Sequence, residues 1–260
     1  MADLIRTAKS GSDWTMNDLA SYNIQLHRIE ALEFFEVATL PDPVIDQELL
    51  EHLDPEEMQQ DRNAELIHLL GLAMGSSTGE GTVDFAVELF KRTGYVRRNR
   101  VAQTRKDLPL FICGEWRHGQ VDVCIVDRRQ NDILLLVRQD MRGEDREFHD
   151  PHAQLVAQAL AAFMENNINR ESNDLPPLES KVIPGIVMAG TWPTFFKIPV
   201  TEELVTHVRH GTYPPTPTIV TFCHPPLPGP ARHRSEGMKP LDNRRQILKC
   251  YEAFKTIVGI

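Results

Sequence analysis

Asp122 stands inside an apolar run, Val121-Asp122-Val123-Cys124-Ile125-Val126. Gln139 and Met141 stand two apart at the end of the next such run, Ile133-Leu134-Leu135-Leu136-Val137-Arg138-Gln139-Asp140-Met141. An acid on one strand, then an acid and a lysine two apart on the next, would make a metal-dependent phosphodiester-cleaving site. Carboxylate oxygens hold Mg²⁺ or Mn²⁺, a water is activated, and the cation offsets charge on the transferring phosphate. Here the second pair is an amide and a thioether. Gln139 offers a neutral oxygen, Met141 carries no charge, and Asp122 alone would hold a metal weakly. Asp122 therefore has two readings: a weak metal ligand, or a buried acid held by a hydrogen-bond or ion-pair partner. Residues i and i+2 share a strand face. Gln139 and Met141 are thus expected to point together, with Asp122 beside Gln139 if the two strands are neighbours. Asp140 and Arg142 form an Asp-x-Arg pair one position off, on the opposite face unless a bulge shifts the register.

Other residues could join that chemistry. Gln154 and Gln158 are four apart and share a helix face, either flanking the strand site or forming an exposed polar stripe. Glu88 is either a further acid or a plain surface residue. His207 and His210 could bind zinc from one helix face, although no cysteine or acid cluster lies near them in sequence. His149-Asp150-Pro151-His152 follows the site strand and reads as a helix cap or a polar site element. Gly75-Ser76-Ser77-Thr78-Gly79-Glu80-Gly81 invites a phosphate-loop reading, but no Gly-Lys-Ser/Thr follows it, so a flexible connection into a helix from Thr82 is expected. No Gly-x-Ser-x-Gly nucleophile elbow occurs.

These residues need elements to hold them. Strands are expected at Leu108 to Cys113, Gln120 to Val126 and Ile133 to Gln139, with Gly114 to Gly119 as a hairpin and Asp127 to Asp132 as a polar turn. A helix precedes them from Val83 to Arg92, and another follows from His152 to Asn166 with Pro151 in its first turn. Strands at Ile183 to Met188 and Thr194 to Val200 turn at Gly190-Thr191. Thr201 caps a helix to about Arg209, a strand runs from Thr218 to Phe222 between proline clusters, and a helix covers Leu241 to Ile257. Upstream, Asp46 to Leu53 and Ala64 to Met74 read as helices, while Ile24 to Val37 fits strand and helix spacings alike. The order implies an α/β mixed sheet flanked by helices. Residues 1–75 are expected to form a mostly helical acidic extension packed on a 76–260 core with proline-rich C-terminal additions.

The chain has 260 residues, of which 41% are hydrophobic, enough to bury a sizeable core. No apolar run approaches the roughly 20 residues a membrane helix needs, so no membrane partner is expected. The first residues lack a secretory pattern. Four scattered cysteines without Cys-x-x-Cys spacing point to a reduced intracellular chain, cytoplasmic or nuclear. A net charge of −9 argues against coating nucleic acid by charge alone. The charge is segregated, however. From Glu30 to Glu65 many acids face only Arg62, and Arg232 to Lys249 is mostly basic. From 91 to 106, Lys91, Arg92, Arg97, Arg98, Arg100, Arg105 and Lys106 face no acid, which makes this run the candidate nucleic-acid contact.

Taken together, Leu134-Leu135-Leu136-Val137-Arg138-Gln139-Asp140-Met141, Val121-Asp122-Val123-Cys124, Asp150-Pro151-His152-Ala153-Gln154-Leu155-Val156-Ala157 and Ser235-Glu236-Gly237-Met238-Lys239-Pro240-Leu241 resemble a group of proteins abundant in mushroom-forming fungi. That group looks like PD-(D/E)xK nuclease-like proteins, and its site strand typically reads Leu-Leu-Leu-Val-Gln-Glu-Asp-Lys. The resemblance spans most of residues 14 to 257 and implies the nuclease-like α/β fold. It places the group's acid and lysine on Gln139 and Met141, so only Asp122 carries over. The expectation is a degenerate site in a nucleic-acid- or protein-binding module, with no cofactor. The alternatives are an active Mg²⁺- or Mn²⁺-dependent nuclease using Asp122, Asp140 and Arg142 or Lys106, and a protein-interaction module that never meets nucleic acid.

Overall fold

Among the described residues, apolar side chains alternating along seven strands give a sheet with two buried faces. The computed structural model describes residues 6–75, 80–140, 150–227 and 233–260, with the side chains of 80, 233 and 234 outside that description. Met141, Arg142, His149, residues 76–79 of the glycine-rich loop, and Pro228 and Pro230 therefore lie outside the described residues. The N-terminal part holds a 3-10 turn at Gly11–Asp13, α1 (Met16–Ser21), β1 (Ile24–Arg28), α2 (Ala31–Phe35), α3 (Glu48–Glu51) and α4 (Asp61–Gly75). Next come α5 (Glu80–Arg92), β2 (Arg100–Ile112), β3 (Glu115–Asp127), β4 (Asp132–Gln139) and α6 (Pro151–Ser172). The C-terminal part adds β5 (Ser180–Ala189), β6 (Trp192–Thr201), α7 (Glu202–His210), β7 (Thr218–Cys223), α8 (His233–Glu236) and α9 (Leu241–Val258).

The strand order is β1-β7-β6-β5-β4-β3-β2, parallel at β1/β7 and β4/β5 and antiparallel elsewhere. The result is a mixed sheet with helices on both faces. Successive strand residues feed opposite cores: Leu136 packs with α6 and α7, whereas Leu135 and Val137 pack with α4, α5 and α9. The parallel β4/β5 pair requires a crossover, and α6 supplies it. Pro151 at its first turn and the Asp150 carboxylate, accepting from the His152 and Ala153 amides at 3.0 and 3.1 Å, start that helix. Its face toward the sheet is rich in alanine, which permits close approach. At Gly185 on β5 an added Cβ would lie 2.8 Å from Leu155 Cδ2. Asn166, fully buried, donates to and accepts from the backbone of Ile133 at 3.0 and 2.7 Å, pinning α6 to the start of β4.

Three boundaries differ from expectation. The β2–β3 turn is at Cys113 and Gly114, both at positive φ, not across Gly114 to Gly119. Two such residues make the tight turn that suits a twisted hairpin, so Glu115 to Gly119 continue as strand. β2 begins at Arg100 rather than Leu108, because pairing with β3 supplies the hydrogen bonds that polar residues 103–107 do not advertise. The ambiguous 24–37 stretch resolves into both candidates, β1 then α2.

Residues 1–75 are expected as an extension, but β1 pairs with β7 and completes the sheet edge. The acidic segment finds bases within the chain: Glu36 pairs with Lys197 of β6 at 2.5 Å, and Asp42 pairs with Lys249 of the basic C-terminal region at 2.7 Å. Arg244, almost fully buried on α9, donates to the carbonyls of Leu49 and His52 at 2.9 Å each and of Met238 at 3.1 Å. Burial without a carboxylate partner pushes its guanidinium down to about 10. Among the described residues no helix is long and apolar enough to cross a membrane.

Candidate functional site

Val123 is paired with Val137 across β3 and β4, after a register shift between Ile125 and Val126, so the next pair outward is Asp122 with Arg138. Directly opposed residues present their side chains to the same face. The side chain opposite Asp122 is accordingly Arg138, not Gln139. Arg138 Nη1 lies 3.3 Å from both Asp122 carboxylate oxygens, and Oδ2 also accepts the Gln139 backbone N–H at 2.8 Å. Asp122 thus ties off the last amide of β4 and neutralises the neighbouring guanidinium. Gln139 approaches it through its backbone. By the alternation that sends Val137 into the α4–α5–α9 core, the Gln139 side chain falls on that same opposite face.

α6 closes the group from above. Arg138 Nε donates to Gln154 Oε1 at 3.0 Å, and Gln154 Nε2 donates to the Ser12 carbonyl at 2.6 Å. Gln158 Nε2 donates to the Gln120 carbonyl at 2.8 Å, which Arg138 Nη1 also approaches at 3.4 Å. Both glutamines are 1% exposed, so an exposed polar stripe does not describe them. Gln158 Oε1 is buried without a hydrogen-bond partner. The structure thus gathers Asp122, Gln154 and Gln158 as the sequence reading groups them, and adds Arg138, Gln120 and Ser12, which that reading left aside. An arginine ending an apolar strand, beside a lone buried acid on the previous one, was the available signal for Arg138.

The remaining candidates scatter. Glu88 is buried, not superficial, but on α5, whose Phe85, Ala86 and Leu89 pack on the opposite face of the sheet; it pairs with Lys91 and Arg92. Lys106 Nζ is 3.9 Å from Glu165 of α6. Asp140 is 8% exposed, and its amide donates to the Met188 carbonyl at 2.8 Å, continuing the β4/β5 ladder. Two residues on from Arg138, it returns to the face that Asp122 occupies. His207 Nδ1 meets Thr212 Oγ1 at 2.7 Å, and His210 Nδ1 meets the Thr206 carbonyl at 2.8 Å. Among the described residues no three His, Cys, Asp or Glu side chains group so as to hold a metal.

The basic run does not form one patch. Lys91 and Arg92 are engaged with Glu88, and Arg100 donates to the carbonyls of Tyr95 and Gly94 at 3.0 and 3.2 Å. Burial first, and then the nearby Arg97, lower the Arg100 guanidinium from its ordinary value. Arg105, exposed at a positive φ of 52°, lies further along β2. Arg97 and Arg98 are exposed at the corner where β2 starts, and there the β3–β4 turn joins them. Arg128 donates its amide to the Asn99 carbonyl at 2.8 Å, and with the Asn99 amide oriented to satisfy both its groups, its oxygen accepts from Arg129 Nη2 at 2.8 Å. Arg97, Arg98, Arg128 and Arg129 are all exposed there, with Asp127 the neighbouring acid. Neither a protein-family model nor a curated protein sequence matches the chain.

Proposed function

We propose that this chain is a PD-(D/E)xK nuclease-like protein turned from cutting to holding, a nucleic-acid-binding module whose former metal position is an internal ion pair. Supporting the fold assignment is the succession α5-β2-β3-β4-α6-β5: a three-strand antiparallel meander, a crossover helix, and a strand parallel to the meander's last member. The observation that carries the functional reading is the Asp122–Arg138 pair, closed further by the Gln139 amide. To ligate a cation, that carboxylate would have to leave a guanidinium and an N–H donor together. The contact with nucleic acid is then the arginine corner, Arg97, Arg98, Arg128 and Arg129, rather than the whole 91–106 run. In a chain of net charge −9 such a local patch acts on phosphates by counterion release, and binding falls steeply with salt.

Fluorescence anisotropy with single- and double-stranded DNA and RNA, with and without Mg²⁺ or Mn²⁺, tests this. Retention without cleavage is expected, weakening on a log–log salt plot, and replacing the four corner arginines with serine should abolish it. Metal-dependent turnover that disappears in Asp122→Ala would overturn the inactive reading.

A second reading rests on Asp140, buried and in phase with Asp122 and Arg138. On that reading the two aspartates form a rearranged metal-dependent nuclease site with a cation such as Arg138 or Lys106. Turnover lost in both Asp122→Ala and Asp140→Ala is its signature.

A further inference from the structure

Past the Asp122 group, β2 and β3 continue into a hairpin whose two faces differ. Leu108, Leu110 and Ile112 are buried in the core beneath α6. The directly opposed pairs Phe111 with Trp116, Pro109 with His118 and Asp107 with Gln120 share the outer face. Of the three tryptophans in the chain, Trp14 and Trp192 are buried, whereas Trp116 is 57% exposed. Its ring meets the half-buried Phe111 at 5.1 Å between centroids. The indole is therefore braced on one side and open to solvent elsewhere.

The hairpin holding that indole is pinned on both sides. The Cys113 and Gly114 amides donate to the Val208 and Arg209 carbonyls of α7 at 3.0 and 2.8 Å, and Arg117 Nε donates to the Ala8 carbonyl at 3.2 Å. A side chain on a fixed support has less freedom to lose on binding. Exposed polar groups of His118, Asp107 and Gln120 limit the apolar area to little more than one indole, far below what a protein partner covers. A flat ring with hydrogen-bonding groups at its rim suits a nucleobase, which has a π-face and a polar edge. The acids at this end are matched: Asp107 meets His118 at 2.9 Å and Glu115 meets Arg117 at 2.5 Å. Arg105, exposed, stands on β2 between this face and the arginine corner. From Arg100 to Phe111 the strand covers about 36 Å at ~3.3 Å per residue, a route several nucleotides long.

We propose that Trp116 is a stacking platform for an unpaired nucleobase, so that the nucleic acid gripped at the arginine corner is single-stranded. The inference rests on the nucleic-acid reading and adds the strandedness of the ligand. Bases within a duplex are stacked on one another and offer no free face to an indole, whereas an unpaired base does. DNA and RNA strands share this chemistry and form separate arms of the test.

The full chain is titrated with oligothymidylate, oligouridylate and a DNA duplex, each about 12 nucleotides or base pairs long, and read by tryptophan fluorescence and by anisotropy. At least one single strand should quench the tryptophan emission, Trp14 and Trp192 being buried out of reach, and bind ~10-fold or more tighter than the duplex, about 1.4 kcal/mol. Trp116→Leu should remove the quenching and bring single-strand binding down to the duplex level, and Trp116→Phe should restore most of the preference. Should Trp116→Leu fail to fold, the unaltered chain decides, because its emission must respond to a single strand and not to the duplex. Equal binding of strand and duplex, binding without quenching, or an unchanged preference in Trp116→Leu would each overturn the platform and leave the arginine corner standing. No binding of any of the three nucleic acids would overturn both.

Discussion

At the scale of residues, the chemistry turns on which side chain faces Asp122. The alternation rule paired Gln139 with Met141 and offered Asp122 a partner or a metal; the register then supplied Arg138. Both side chains are largely sheltered, at 22% and 15% exposure, so the pair is neither a screened surface contact nor a fully desolvated one. Asp122→Ala leaves Arg138 with only carbonyl and amide acceptors and strands the Gln139 amide, which should cost about 1–3 kcal/mol in urea unfolding. In the cycle with Arg138→Met, the two losses should fall short of additivity by ~1 kcal/mol. Strict additivity would mean that the 3.3 Å approach carries no coupling.

At the scale of elements, helix ends and turns are where local sequence spoke most clearly. Asp150-Pro151 starts α6, and Thr201, accepting from the Leu204 amide at 3.1 Å, starts α7. The glycine-rich stretch is read differently once α5 begins at Glu80, before the expected Thr82. Gly81 lies inside that helix, and an added Cβ would sit 2.8 Å from the backbone carbon of Leu72 on α4. Its smallness lets two helices touch. Helix propensity says Gly81→Ala should stabilise by up to about 1 kcal/mol, whereas overpacking against backbone says it should destabilise by about 1–3 kcal/mol. We expect the second, because a backbone cannot rotate away as a side chain can. A raised melting temperature would refute that close packing.

Across the whole molecule, the segregated charge finds its partner within the chain. The acids of 30–65 read in isolation as a possible partner-seeking surface, yet Glu36 and Asp42 pair with Lys197 and Lys249, and Arg244 and Arg245 donate to carbonyls between Leu49 and His52. Lys197 holds Glu36 below its ordinary value, and hydrogen bonds from Asn63 do the same for Asp46 and Glu48. Depressed carboxylates stabilise the fold fully above the unfolded range, near 4–4.5, and lose that contribution as pH falls through their lowered values. In an NMR titration on acidification, the side-chain carboxyl signals of Glu36, Asp46 and Glu48 should therefore move at lower pH than those of the same residues in the urea-unfolded chain. Movement at the same pH in both states would contradict this order.

Much of this molecule was written locally. The strand around Asp122, the strand ending at Gln139, the capped helix bearing Gln154 and Gln158, and the terminal helix all follow from apolar spacing and a few capping residues, since those signals act within a turn or a pleat. What the sequence could not convey was set by pairing between distant segments. A one-residue register shift at Ile125/Val126 aligned Arg138 with Asp122, β1 found its place beside β7, and Arg128 and Arg129 came to lie beside Arg97 and Arg98. Such pairings depend on hydrogen bonds and buried contacts summed over the whole sheet, and no window along the chain contains both partners.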